Sequence, residues 1–159
     1  MDNVGKICVF TGHRNIDDIH LSSLGQSLDE TLERLIEQGY TEFRAGGACG
    51  FDTLAALKVI EKKKKYGFVR LHLFLPCRNQ DKMWGAKAKT LYARVLSLAD
   101  STKYCSENYF RGCMHKRDRE MADGSDVCVA YFSGKSSGGT AYTVKYVEKK
   151  GIPVINVYK

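Results

Sequence analysis

The 159 residues, 43% of them hydrophobic and carrying a formal net charge of +7, suit one globular domain burying roughly 68–70% of its unfolded surface. No apolar stretch approaches the roughly 20 residues needed to cross a bilayer. The opening MDNVGKICVF has neither a long apolar signal core nor a small-residue cleavage site, so no membrane partner is expected and the cytosol is the expected compartment. Six cysteines, Cys8, Cys49, Cys77, Cys105, Cys113 and Cys128, are scattered without a Cys-x-x-Cys pair. They predict reduced thiols, and Cys105, Cys113 and His115 lack an evident fourth ligand, so neither metal nor other cofactor is expected.

Short β-branched runs alternate with longer segments of helical period, which predicts an α/β fold. The expectation is a single Rossmann-like, doubly wound domain over residues 1–159 with a mainly parallel sheet of about six strands. KICVF, Lys6 to Phe10, is the first strand. Leu21, Leu24, Leu28, Leu32 and Leu35 then recur at steps of three and four, the apolar stripe of a helix ending near Gly39. TEFRA is the second strand, leading into a glycine patch and the helix DTLAALKVIEKKKK. The run EKKKKYG, Glu61 to Gly67, reads as a solvated helix end facing the negative pole of the macrodipole, with polyanion contact as the rival.

VRLHLFLP is the third strand, stopped by Pro76. The period continues through Trp84, Ala88, Leu91, Val95 and Leu98, predicting a helix. STKYC is a short fourth strand, SENYFRG a loop, and Cys113 to Ala122 a polar helix. DVCVAYF, almost continuously apolar, is a buried fifth strand. SGKSSGGT is a loop, AYTVKYVEKK a helix and IPVINVY the last strand.

In such a sheet, ligands settle beyond the carboxyl ends of the strands, where strand order reverses. Three glycine-bearing segments follow strands and are expected on that one edge: TGHR (Thr11, Gly12, His13, Arg14), GGACGFD (Gly46, Gly47, Ala48, Gly50, Asp52) and SGKSSGGT with Gly138, Gly139 and Thr140. Glycine loops entering helices leave N–H groups unpaired beside the positive end of the dipole, a setting that suits phosphate. Arg14, Arg117 and Arg119 add candidates for charge-assisted bonds. The dinucleotide G-x-G-x-x-G does not follow the first strand, and no Walker A lysine and hydroxyl pair is present.

GGACGFD together with MHKRDREMADGSDVCVAYFSGKSSGGT resembles the SLOG superfamily, which contains the DprA/Smf DNA-processing proteins and the LOG cytokinin-activating enzymes. TGHR, the LPCxxQxxxW segment from Leu75 to Trp84, and the R-x-R-x-M block before an Asp and a GGT loop are most similar to its small bacterial YpsA/YspA-like branch. The resemblance implies a Rossmann-like fold binding a nucleotide-derived ligand, with ADP-ribose and its relatives as the suspected class, and it admits a homodimer. It implies phosphate and ribose contacts at Gly46, Gly47, Gly50, Gly138, Gly139 and Thr140, and a nucleotide-holding role for Arg117. Asp52 either binds a ligand hydroxyl or caps its helix; Asp126 contacts ligand or orients Arg117 or the loop. LOG enzymes carry P-G-G-x-G-T-x-x-E, whose glutamate assists N-glycosidic cleavage. Here Tyr142 and Thr143 stand in that place and Glu148 lies about a helical turn too far along, which counts against phosphoribohydrolase activity.

His13 either donates to a phosphate or braces its loop, and His115 is a lesser candidate. Trp84 either stacks on a base or seals helix against sheet, with Gln80 beside it to read the base edge. Tyr104, Tyr109 and Phe110 form a second aromatic group, a lid or a surface seam. The sequence therefore points first to binding of a nucleotide or nucleotide derivative such as ADP-ribose or NAD, in sensing or signalling. N-glycosidic hydrolysis or transfer comes second, and single-stranded nucleic-acid binding, as in the DprA relatives, third.

Overall fold

The computed structural model describes residues 5–135 and 137–158. Its strands are β1 Lys6–Gly12, β2 Tyr40–Ala45, β3 Arg70–Leu75, β4 Ser101–Tyr104, β5 Val127–Tyr131 and β6 Val154–Asn156. Its helices are α1 Leu21–Glu37, α2 Phe51–Lys65, α3 Ala86–Leu98, α4 Cys113–Ala122 and α5 Gly139–Lys149. The six strands form one sheet in the order β4-β3-β2-β1-β5-β6, parallel at every pairing. This is the Rossmann-like α/β architecture expected from the alternation of strand and helix patterns.

Helices cover the two faces unequally. On one side α2 packs on β1, β2 and β3 and touches α1 and α3; on the other, α4 and α5 lie against each other, α5 over β1, β5 and β6 and α4 over β3. Side-chain alternation divides each central strand between two cores. Cys8 and Phe10 of β1, with Val127, Val129 and Tyr131 of β5, enter the larger one with Leu28, Phe43, Phe51 and Leu71. Val9, Cys128 and Ala130 point the other way, to Met121, Val144 and Val147. Being covered on both faces is why β5 is buried at every position.

The leucine stripe of α1 buries Leu24, Leu28, Leu32 and Leu35, but Leu21 at its start is 51% exposed. Trp84 does not begin the third helix. It ends a set of turns, its N–H donating to the Asp81 carbonyl at 3.0 Å, and the extended backbone of Gly85 separates it from α3. At the other end, α5 starts two residues before the expected AYTVKYVEKK and takes Gly139 and Thr140 into its first turn.

The lysine run closes α2 with Lys64 and Lys65 exposed, as a solvated helix end, but its other lysines are paired inside the chain and it is not a free basic patch. Lys62 is 7% exposed and grips Asp29 and Glu33 of α1 at 2.8 and 2.7 Å; Lys65 also reaches Glu33, and Lys63 reaches Asp100. The Lys62 bond, followed by that of Tyr66, pulls Glu33 down to about 2. Burial lowers the affinity of Lys62 for its proton, but the two carboxylates outweigh it and the net shift is upward. Three of the positive charges are thereby matched inside the chain.

Gly50 is required by close approach. Its φ is +77°, and a Cβ there would come within 2.0 Å of the Arg14 carbonyl oxygen. Gly50→Ala is expected to cost roughly 3–5 kcal/mol, combining left-handed strain with a backbone clash. Gly85→Ala, with nothing within 4 Å, should change stability by less than about 1 kcal/mol; urea midpoints of the two variants check the contrast.

Candidate functional site

The chain steps outward from β1 through β2 and β3 to β4, then returns to β5 on the other side of β1, so strand order reverses between β1 and β5. A cleft of 340 Å³ opens at their carboxyl ends, where the fold leaves a crevice between loops that diverge to opposite faces. Thr11, Gly12, His13 and Arg14 line it from the first loop, Ala48 and Asp52 from the second, Arg117 from α4, and Gly138, Gly139 and Thr140 from the start of α5. Residues from four distant segments thus meet on one rim.

The three glycine segments play different parts. Gly12 makes room for α2: a Cβ there would lie 2.4 Å from the Phe51 ring. The second segment is filled by the protein itself. The Gly46 carbonyl accepts from Arg117 Nη1 at 2.6 Å, the Gly47 carbonyl from Gln80 Nε2 at 3.4 Å and the Ala48 carbonyl from Thr53. The Ala48 N–H donates to Asp52 Oδ2 at 3.2 Å, and the Phe51 N–H donates to the His13 carbonyl. Gly46, Gly47 and Gly50 do not line the cleft; they are packing and turn residues beneath it.

The third segment is different. Among the described residues no side chain caps the amino end of α5, and none lies within 4 Å of a Cβ built on Gly138 or Gly139. The first-turn amides of a helix have no intrahelical acceptor and sit at the positive end of its dipole. Of the helices led by Gly50 and Gly138, α5 is the one whose leading glycines line the cleft.

Arg117 forms the floor. Only 6% exposed, its Nε donates to Asp118 Oδ1 at 2.8 Å, and its Nη1 to the Gly46 carbonyl at 2.6 Å and more weakly to that of Phe74 at 3.4 Å. Among the described residues Nη2 meets only the Met114 sulfur, at 3.9 Å. Asp52 is equally buried. Desolvation pushes its carboxyl up to about 6, and Arg117 holds back part of that rise. Arg14 is exposed, and its side chain makes no hydrogen bond or ion pair among the described residues.

His13 is a brace. Its Nε2 accepts the Ser133 N–H at 2.9 Å, which leaves the ring proton on Nδ1. Its backbone N–H donates to the Tyr131 carbonyl, so the imidazole and main chain join the β1, β5 and α2 ends. Burial first, then Lys135, lower its pKa. His115 lines the cleft with its ring stacked on Tyr142, centroids 3.9 Å apart and 8° from parallel.

Several expected residues fall elsewhere. Gln80 donates to the Tyr92 hydroxyl at 3.1 Å and Trp84 meets the Tyr92 ring edge-on at 5.1 Å, so this pair seals the α3 side, away from the cleft lining. Asp126 stands at the opposite end of the sheet, before β5, where its Oδ2 accepts the Ile7 N–H at 2.8 Å. It does not orient Arg117; Asp118 does. Asp118, Met114, Met121 and Ser137 line the cleft without having been singled out. Asp118 was legible in principle as the charge beside a buried arginine. Thr143, in the place of the LOG glutamate, is buried and donates its hydroxyl to the Gly139 carbonyl at 3.1 Å. All six cysteines are free, and among the described residues no group of three or more His, Cys, Asp or Glu side chains could hold a metal ion. No helix there is long and apolar enough to cross a membrane.

A family model described as the YspA SLOG family matches residues 7–153. The UPF0398 protein OB1025 of Oceanobacillus iheyensis is 28% identical over 163 residues, covering 96% of this chain and 88% of the relative. The SPbeta prophage-derived protein YoqJ of Bacillus subtilis is 31% identical over 139 residues, covering 79% and 81%. Among solved structures, DNA processing protein A from Helicobacter pylori, described for its single-stranded DNA binding mode, superposes with a TM-score of 0.66 at 16% identity. That likeness, which shows a shared fold, covers 94% of this chain and 64% of the other.

Asp52 should leave a signature in stability. Its folded pKa of about 6 exceeds the unfolded value of about 3.9, so the folded state binds the proton more tightly and is favoured at low pH. Relative to Asp52→Asn, the wild type should lose roughly 3 kcal/mol as pH rises from about 4 to 6 and stay level above that. Urea unfolding of both proteins at half-unit pH steps checks it, and parallel curves would refute it.

Proposed function

The chain belongs to the YspA SLOG family, and from that premise we propose that it binds a nucleotide or nucleotide-derived ligand of the ADP-ribose or NAD type, in a sensing or signalling role. The observation that carries this is the uncapped amino end of α5 facing a cleft that also holds Arg14 and Arg117. Helix amides and dipole receive a phosphate, and Arg14 closes over it. Arg117 presents Nη2 from a fixed position, while Asp52 and Asp118 offer acceptors to ribose hydroxyls. At 340 Å³ the cleft lies at the lower end of the roughly 300–1,000 Å³ range of ligand pockets, about the size of a mononucleotide unit.

Isothermal titration with ADP-ribose, NAD, AMP and cyclic nucleotides tests this. Gly139→Asp places a carboxylate where the phosphate would sit, in a position that suits the helix dipole. It should fold as the wild type does and lose at least about tenfold in affinity. Saturable binding by none of these ligands, or unchanged affinity in the variant, would end the proposal.

Hydrolysis or transfer at an N-glycosidic bond is favoured second, by Asp52 alone: a buried cleft carboxyl titrating at about 6 is suited to proton transfer near neutrality. It requires release of free base from a nucleoside monophosphate or NAD, read by chromatography, with loss in Asp52→Asn. Single-stranded DNA binding is favoured third, by the net charge of +7 together with the fold shared with DNA processing protein A. It requires log affinity to fall linearly with log salt, and a flat response in a fluorescence-anisotropy titration removes it.

A further inference from the structure

His13 and Arg14 line two depressions, not one. Beyond them, on the side away from α5, lies a second hollow of 360 Å³ whose walls include Asp17, Tyr131, Lys135 and Tyr158. It is comparable in size to the first, and neither a glycine nor Arg117 is among its walls.

The partition between the two hollows is braced at one residue and unpaired at the next. His13 is fixed by the Ser133 N–H on its ring and by main-chain bonds to Tyr131 and Phe51, and its ring packs against Tyr131, Phe132 and Tyr158. The Arg14 side chain is exposed and unpaired among the described residues. Lys135, on the far side, is likewise exposed with no hydrogen bond or ion pair among them. Two free cations therefore stand along a path from the amino end of α5 into the second hollow, more positive charge than one phosphate requires.

The floor of the second hollow is preformed. Tyr131 and Tyr158 rings lie 4.9 Å apart, the Tyr158 hydroxyl donates to Asp17 Oδ2 at 3.2 Å, and the Asp17 N–H donates to the Tyr131 hydroxyl at 3.4 Å. Tyr131 is buried and its hydroxyl is also held by His20 Nδ1 at 2.8 Å, so it backs the floor. The half-buried Tyr158 ring with the exposed Asp17 carboxylate at its edge suits a sugar or nucleoside, the ring covering its apolar face and the carboxylate taking its hydroxyls.

We propose that this second hollow is the subsite for the far half of a two-headed ligand, a nucleoside whose diphosphate passes over Arg14 toward Lys135 and carries a second sugar into the Asp17–Tyr158 hollow. This rests on the nucleotide reading of the first cleft and deepens it by assigning the neighbouring residues a partner. A mononucleotide fills the first cleft and leaves Lys135 and Asp17 untouched. A sugar-linked nucleoside diphosphate engages both.

The test is isothermal titration of AMP and of ADP-ribose into the wild type, Lys135→Ala, Asp17→Ala and Gly139→Asp. Loss of a charge-assisted contact is worth about tenfold. Lys135→Ala and Asp17→Ala should each weaken ADP-ribose by about that factor and leave AMP within about twofold, while Gly139→Asp weakens both. If Gly139→Asp weakens both ligands but the two outer variants leave ADP-ribose unchanged, or weaken AMP equally, the second subsite is refuted and the first cleft stands. If neither ligand binds the wild type, the nucleotide reading fails and the subsite fails with it.

Discussion

A guanidinium buried under the carboxyl edge of a parallel sheet stays there only if its charge and its N–H groups are answered, because an unpaired buried cation costs several kcal/mol. Arg117 meets that condition with Asp118 on its own helix and with the carbonyls of Gly46 and Phe74 from the ends of β2 and β3. The consequence is architectural. One side chain ties α4, on one face of the sheet, to the loop that leads into α2 on the other. Gly46 has to be glycine in that arrangement, since a Cβ there would lie 2.8 Å from Arg117 Nη1 and 2.9 Å from Asp52 Oδ2. The cleft floor is thus built by satisfying a buried charge, and the backbone carbonyls that satisfy it are withdrawn from any ligand.

That withdrawal explains why three glycine segments that look alike in the sequence differ in the structure. In the first two, hydrogen atoms in place of side chains admit Phe51, Arg117 and the Arg14 carbonyl, and the freed backbone groups bond to neighbours. In the third, Gly138 and Gly139 admit nothing from the protein. The open helix end of the rim is that of α5, with the exposed Arg14 lining the same cleft, and the SLOG family match extends over residues 7–153, both kinds of glycine included.

The fold was readable because its signals are local. The continuous apolar run of β5 and the leucine spacing of α1 depend on neighbours a few residues away, and parallel β-α alternation constrains the topology to a small set. Thr11 to Arg14, Ala48, Asp52 and Gly138 to Thr140 were placed on one rim by the same topological rule, Arg117 was added by the family resemblance, and all line the cleft. The errors concern partners remote in sequence. The acids that answer Lys62 come from α1, some thirty residues back, and no periodicity reports them. Whether a glycine accommodates a neighbour or a ligand depends on tertiary packing alone. Asp126 is a different kind of miss: a residue that precedes a parallel strand belongs to the opposite edge from residues that follow one, so the rule that placed the glycine loops also excludes it.

The imidazole of His13 has a mechanical implication. Through its ring and main chain it joins Ser133, Tyr131 and Phe51, so the segments after β1 and β5 and the head of α2 form a single truss. A guest that displaces the Ser133 segment must drag the first loop with it or break the joint. Protonating Nε2 replaces the acceptor of the Ser133 amide with a donor, for which the Ser133 hydroxyl stands 3.0 Å away, while the main-chain bonds to Tyr131 and Phe51 do not titrate. Acidity thus re-pairs one joint of the truss and leaves the other two in place.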